Sequence, residues 1–185
     1  VPFQLADVKD QASALKRIAD LIAKGCSSPP IVRAARAITV DCAALDDLCE
    51  LEAIYEAVKT GTPAVPGLKR GFRYVADPRT ADWYQGAVAT LKECQAGACA
   101  GDCDEHTVLV ASLAGALGFK VGARAWGKDP AQRVYQHVYA VVAWPKKGPW
   151  RDDRASVKGM DTTVDSAHVG WQPPRGAVLT YWIEA

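Results

Sequence analysis

The chain has 185 residues, 49% hydrophobic and 23% charged, a balance that suits one globular domain and leaves little room for disorder. Its 22 Lys and Arg against 21 Asp and Glu leave a formal charge of +1, without the basic excess of a general nucleic-acid binder. No apolar run approaches the roughly 18 residues that span a bilayer, so no membrane partner is expected either.

Leu5, Val8, Ala12, Leu15, Ala19 and Ile22 recur at helical steps and predict an amphipathic helix over 4–24. Gly25 and the run Ser27-Ser28-Pro29-Pro30 stop it. A second helix is expected over 31–38. A third is expected over 44–58, with Leu45, Leu48, Leu51, Ile54, Tyr55 and Val58 on its apolar side. Gly61, Pro63, Pro66 and Gly67 make 60–71 a loop. Residues 72–75 read as a short extended piece ended by Asp77-Pro78. The segment 79–92 reads as a helix around 83–91, and the small residues of 95–101 must turn.

From 103 to 117 the pattern changes. Val108, Leu109, Val110, Leu113, Ala114 and Leu117 cover nearly the whole circumference, which marks a buried helix. Asp102 suits its N-cap, Glu105 completes a capping box, and Gly118 suits the position after its end. Strands are expected over 119–126 and 134–144. In the second, Val134, Val138, Ala140 and Val142 share one face, and Tyr135, His137, Tyr139 and Val141 share the other. A polar loop over 146–154 and short strands over 157–164 and 177–183 follow. Helices first, then a buried helix, then strands imply an α+β fold, with an antiparallel sheet packed on the buried helix.

The chemistry concentrates at Gly101-Asp102-Cys103-Asp104-Glu105-His106. A Cys in the first turn of a helix sits where unpaired N–H groups and the dipole favour a thiolate, and where the same N–H groups can hold an oxyanion. Asp102, Asp104 and Glu105 oppose this, because negative neighbours raise a thiol pKa. A cationic partner is then required. His137 lies in a strand, and Asp161, in Met160-Asp161-Thr162-Thr163, on the next. Adjacent antiparallel strands would set the two side by side, with Asp161 fixing the His tautomer. Cys103, His137 and Asp161 thus form a candidate nucleophile, base and orienter.

The runs GDCDEHTVLVASLAGALGFKVGARAWG, QHVYAVVAWP and GMDTTVD, preceded by GFRYVADP, resemble the transglutaminase-like superfamily over roughly 45–165, above all its bacterial and phage cysteine-peptidase-like members. The resemblance implies a papain-like core, a peptide or protein substrate, and no cofactor. It puts the nucleophile on Cys103, the general base on His137 and the acidic orienter on Asp161. Cys94-Gln95-Ala96-Gly97-Ala98-Cys99-Ala100 is an insertion against the family pattern, and residues 1–43 fall outside the match.

Plainer readings compete. Cys103 alone would be a core thiol. His106 rides on the same helix and is expected to be structural, Asp165 competes with Asp161, and His168 is expected in an exposed loop. Cys94, Cys99, Cys103 and His106 could be read as zinc ligands, although their spacing is not that of paired knuckles. Six Cys, none beyond Cys103, favour reduced thiols and a cytoplasmic setting over a disulfide-rich secreted fold, with a Cys94–Cys99 bond as the alternative. One of Trp126, Trp144, Trp150 and Trp171 is a candidate groove wall. A non-catalytic module on the same fold is the second functional reading.

Overall fold

The computed structural model describes residues 8–76, 84–132, 134–147, 149–151, 153 and 155–183. Among them are five helices, α1 (Val8–Cys26), α2 (Pro29–Ile38), α3 (Asp47–Lys59), α4 (Ala87–Gln95) and α5 (Cys103–Ala116). The strands are β1 (Arg73–Tyr74), β2 (Ala100–Gly101), β3 (Val121–Gly127), β4 (His137–Ala143), β5 (Val157–Met160) and β6 (Ala177–Trp182). The fold is α+β. Strands β5-β4-β3-β6 form an antiparallel sheet, and β1 and β2 form a small parallel one. None of these helices is long and apolar enough to cross a membrane.

α5 is the centre of the molecule. It packs against α1, α2, α3 and α4 on one side and β3 and β4 on the other. Residues 103–114 are all buried, which accounts for its all-round apolar pattern. The β4 alternation splits as expected from Val138 onward. Val138, Ala140 and Val142 join the main core, while Tyr139 and Val141 pack with Val157, Trp126 and Trp182 on the opposite face. Tyr135 departs from that pattern. It precedes the strand, joins the main core, and its carbonyl accepts from Gln11 Nε2 at 3.3 Å.

Where α1 crosses α5 the backbones meet through small residues. A Cβ on Gly115 would collide with Cys26 Sγ, and one on Gly25 with Ser112 Oγ. Gly115→Ala is therefore expected to destabilise by about 1–3 kcal/mol, although alanine is the better helix former. Urea unfolding reads this directly, and an unchanged midpoint would mean that the crossing relaxes freely.

Boundaries differ from the sequence reading for local reasons. Residues 4–7 of the first helix and 79–83 lie outside the described residues. α2 starts at Pro29, earlier than expected, since a proline loses nothing at a first turn whose N–H groups are unpaired. α3 starts late because Asp46 takes its N-cap, accepting from Cys49 N at 3.0 Å, and Leu45 is left outside, 83% exposed. α4 begins after Gly86 and runs to Gln95. β4 begins at His137 rather than 134. β5 ends at Met160 because the Asp161 side chain accepts from Thr163 N at 3.0 Å, turning the chain out of the ladder. The β1–β2 pairing was not expected.

The expectation of reduced thiols is overturned for four of the Cys. Cys42 is bonded to Cys49 and Cys94 to Cys99, while Cys26 and Cys103 are free. Each bonded pair is local, seven and five residues apart, and brackets a turn beside the start of α3 or the end of α4. A framework of local bonds needs no even spread of Cys along the chain, so the cytoplasmic reading loses the support it drew from them.

Candidate active site

The start of α5 is fixed from both sides. Asp102 Oδ1 accepts from Asp104 N and Glu105 Oε2 accepts from Asp102 N, each at 3.0 Å, the expected capping box. The preceding β2 is tied to the chain around β1 by Arg73 N to Cys99 O at 3.1 Å and Val75 N to Gly101 O at 2.8 Å. A Cβ at Gly101 would lie 2.8 Å from Glu105 Cβ and 2.9 Å from Phe72 Cζ, so only glycine fits there.

Cys103 follows, 6% exposed, with the backbone N–H of Val138 turned toward its sulfur. Burial pushes the thiol pKa well up, and the charges of Asp102, Asp104 and Asp161 push it further, against the pull of the Val138 N–H. The Asp102, Cys103 and Asp104 side chains lie within 4.8 Å of one another. Asp104 is itself 3% exposed, and its pKa is raised by burial and by the Asp102 carboxylate.

His137 opens β4, next in sequence to the residue that faces the Cys103 sulfur. Its Nε2 lies 2.6 Å from Asp161 Oδ2. Asp161 stands just past β5, which pairs with β4 through Ala140 and Met160, so neighbouring strands do bring the two residues together. The other Asp161 oxygen accepts from Thr163 N and Thr163 Oγ1, at 3.0 and 2.7 Å. Burial works to raise the Asp161 pKa, but His137 and the two Thr163 donors outweigh it and hold it below the usual value. Asp165, the competitor, is exposed, and its backbone carbonyl accepts from Lys59.

Sequence reasoning missed how this loop is held. Tyr55 Oη reaches Asp161 O at 2.9 Å and Ala167 O at 2.6 Å. Lys59 Nζ, one helical turn on, donates to Tyr55 Oη at 3.0 Å and to the carbonyls of Val164, Asp165 and Ala167 at 2.8–3.1 Å. A polar Lys four residues after an apolar-face Tyr was the only hint in the sequence. Tyr55→Phe should cost about 1–3 kcal/mol in chemical denaturation, because buried carbonyls lose a donor. No change would mean that Lys59 alone holds the loop.

His106 does take a structural position. Its Nδ1 is 2.8 Å from Thr162 Oγ1, and its ring packs on Phe72 at 4.6 Å between centroids. It is 3% exposed, and the Arg73 backbone lies against its ring. Burial lowers its pKa to about 4, against the attraction of Asp161 and Asp102. The four residues weighed as zinc ligands do not form a ligand set, because Cys94 and Cys99 are bonded to each other and His106 faces Thr162. His168 is exposed, as expected.

Beside the Asp161 loop runs an open groove of about 1020 Å³, bordered by Lys69, Arg70, Arg73, His106, Thr162 and Thr163 among others. No Trp is among its described lining residues. Trp126 and Trp182 cover the far face of the sheet, and Trp150 packs on Trp182 with ring centroids 4.6 Å apart and planes tilted by 50°. Compared with protein-family models, with curated proteins and with solved structures, the chain matches none.

Proposed function

We propose that the chain is a cysteine acyl-transfer enzyme, a hydrolase of peptide or carboxamide bonds on a papain-like core similar to that of transglutaminase-like peptidases. The observation that carries this reading is the 2.6 Å contact between His137 Nε2 and the buried Asp161 carboxylate, with the backbone N–H of the next residue, Val138, turned toward the Cys103 sulfur. With Nε2 engaged by Asp161, Nδ1 is the nitrogen left to serve the sulfur. The Cys103 proton passes to Nδ1, and the ion pair so formed offsets the burial and the carboxylates that otherwise hold the thiol neutral. The sulfur attacks the carbonyl carbon, and the Cys103 N–H at the helix start receives the oxyanion. The C–N bond then breaks as imidazolium returns its proton to the leaving amine. Water, deprotonated by His137, cleaves the thioester and releases the acid. An acceptor amine in place of water would give transamidation.

A second reading, a non-catalytic module on this fold, draws on the burial of Cys103 and its raised pKa. Alkylation by iodoacetamide at pH 6 separates the two. An ion-paired Cys103 reacts faster than the free Cys26, whose pKa burial raises to about 11, and His137→Ala removes the difference. Equal, slow labelling of both Cys, unchanged by His137→Ala, would favour the module.

A further inference from the structure

We propose that the groove bordered by Lys69, Arg70 and Arg73 seats an acidic segment of the substrate, a peptide carrying carboxylates a few residues from the bond that Cys103 attacks. This rests on the acyl-transfer reading above.

The groove's charge is one-sided. Lys69, Arg70 and Arg73 are exposed at its border, and none has an acidic partner among the described residues. Asp165 is the one acid among the described lining residues. Lys59 also borders the groove, but its ammonium is spent on Tyr55 and three carbonyls. Two neighbouring guanidinium groups suit carboxylates, which they can grip with paired N–H donors.

Position ties the groove to the chemistry. Thr162 and Thr163 form part of its wall, and Thr163 is the residue that holds Asp161. His106 lines it from the helix that Cys103 begins. At about 1020 Å³ the groove exceeds what a small carboxylic acid fills and suits several residues of extended chain. The lining also includes Cys94 and Cys99, which are bonded to each other, with Cys99 O accepting from Arg73 N at 3.1 Å, so this part is preformed. The Asp102 carboxylate lies within 4.8 Å of the Cys103 sulfur and disfavours a carboxylate at the scissile bond itself, whereas the border cations favour one further along. The chain as a whole is near neutral, so this patch is local and not a general polyanion surface.

The test uses full-length Cys103→Ala protein and fluorescein-labelled octapeptides that differ only in carrying Glu, Gln or Lys, read by anisotropy. Glu peptides should bind at least about tenfold tighter than their Gln isosteres at low salt, and the preference should fade by 0.5 M NaCl. Arg70→Glu/Arg73→Glu should abolish the preference, and Arg70→Gln/Arg73→Gln should weaken it. In an otherwise wild-type chain neither pair should alter the iodoacetamide rate of Cys103, which also reports that the fold is intact. Equal binding of Glu and Gln peptides, or a preference that survives charge reversal, overturns the groove assignment. A Cys103 that fails the alkylation test while the Arg-dependent preference persists overturns the acyl-transfer reading instead and leaves the acidic-peptide site standing.

Discussion

Cys103→Ala is expected to lower turnover of a peptide substrate by about 10⁴–10⁶-fold while leaving a folded protein. On the acyl-transfer reading the effect is large because the sulfur would be the atom that bonds to the acyl carbon, and no hydroxyl of α5 is placed to replace it. Thr107 and Ser112 are the hydroxyls further along α5, but both are buried and engaged, with Cys103 O at 2.6 Å and Ile22 O at 3.5 Å. The fold should survive because the change removes one sulfur and the approach of one N–H. His137→Ala should reach a similar floor, and the double variant should be little worse than either, since nucleophile and base act as a unit. The check is a single-turnover assay on a peptide that wild type cleaves. Residual activity above a few per cent in Cys103→Ala would transfer the nucleophile's role elsewhere.

Asp161→Asn should cost about 10²–10⁴-fold in kcat. An amide in this place can keep Thr163 on its oxygen only by presenting its NH₂ to His137 Nε2. The ring must then accept at Nε2 and carry its proton on Nδ1, where it cannot take one from the thiol. A second signature separates this from simple unfolding. The folded-state pKa of Asp161 lies below its ordinary value, so its contribution to stability is complete above about pH 4 and is lost as pH falls through the folded value. Asp161→Asn should lack that acid limb while other carboxylates keep theirs. Melting temperatures from pH 2.5 to 7 show the difference. Parallel curves for the two proteins would mean that the His137 contact adds nothing to stability.

What could be read from the residues was what they encode locally. Asp102 and Glu105 sit three apart and cap one turn, Gly118 takes φ 88° after the helix, and the apolar surround of α5 records burial on all sides. That is why the central helix and its Cys were legible almost to the residue. The neighbourhood of His137 and Asp161 was legible one level up, from strand order, but the turn that sets Asp161 beyond β5 was not. The β1–β2 pair is only two residues long on each side and carries no periodicity. The disulfides depend on where α3 begins and α4 ends, and those boundaries were themselves displaced. Tyr55 looked like any apolar-face aromatic, because its partners lie more than a hundred residues away.

That separation has a consequence for when the site comes into being during folding. The bonds from Tyr55 to Asp161 and Ala167 close loops of 106 and 112 residues, whereas the turn that presents Cys103 is built from its immediate neighbours. Long loops close after local structure has formed. A chain still emerging from a ribosome would therefore carry its thiol in place well before the carboxylate that orients the base. On the acyl-transfer reading, the interval leaves His137 without its orienting carboxylate, so the triad would be completed only late in folding.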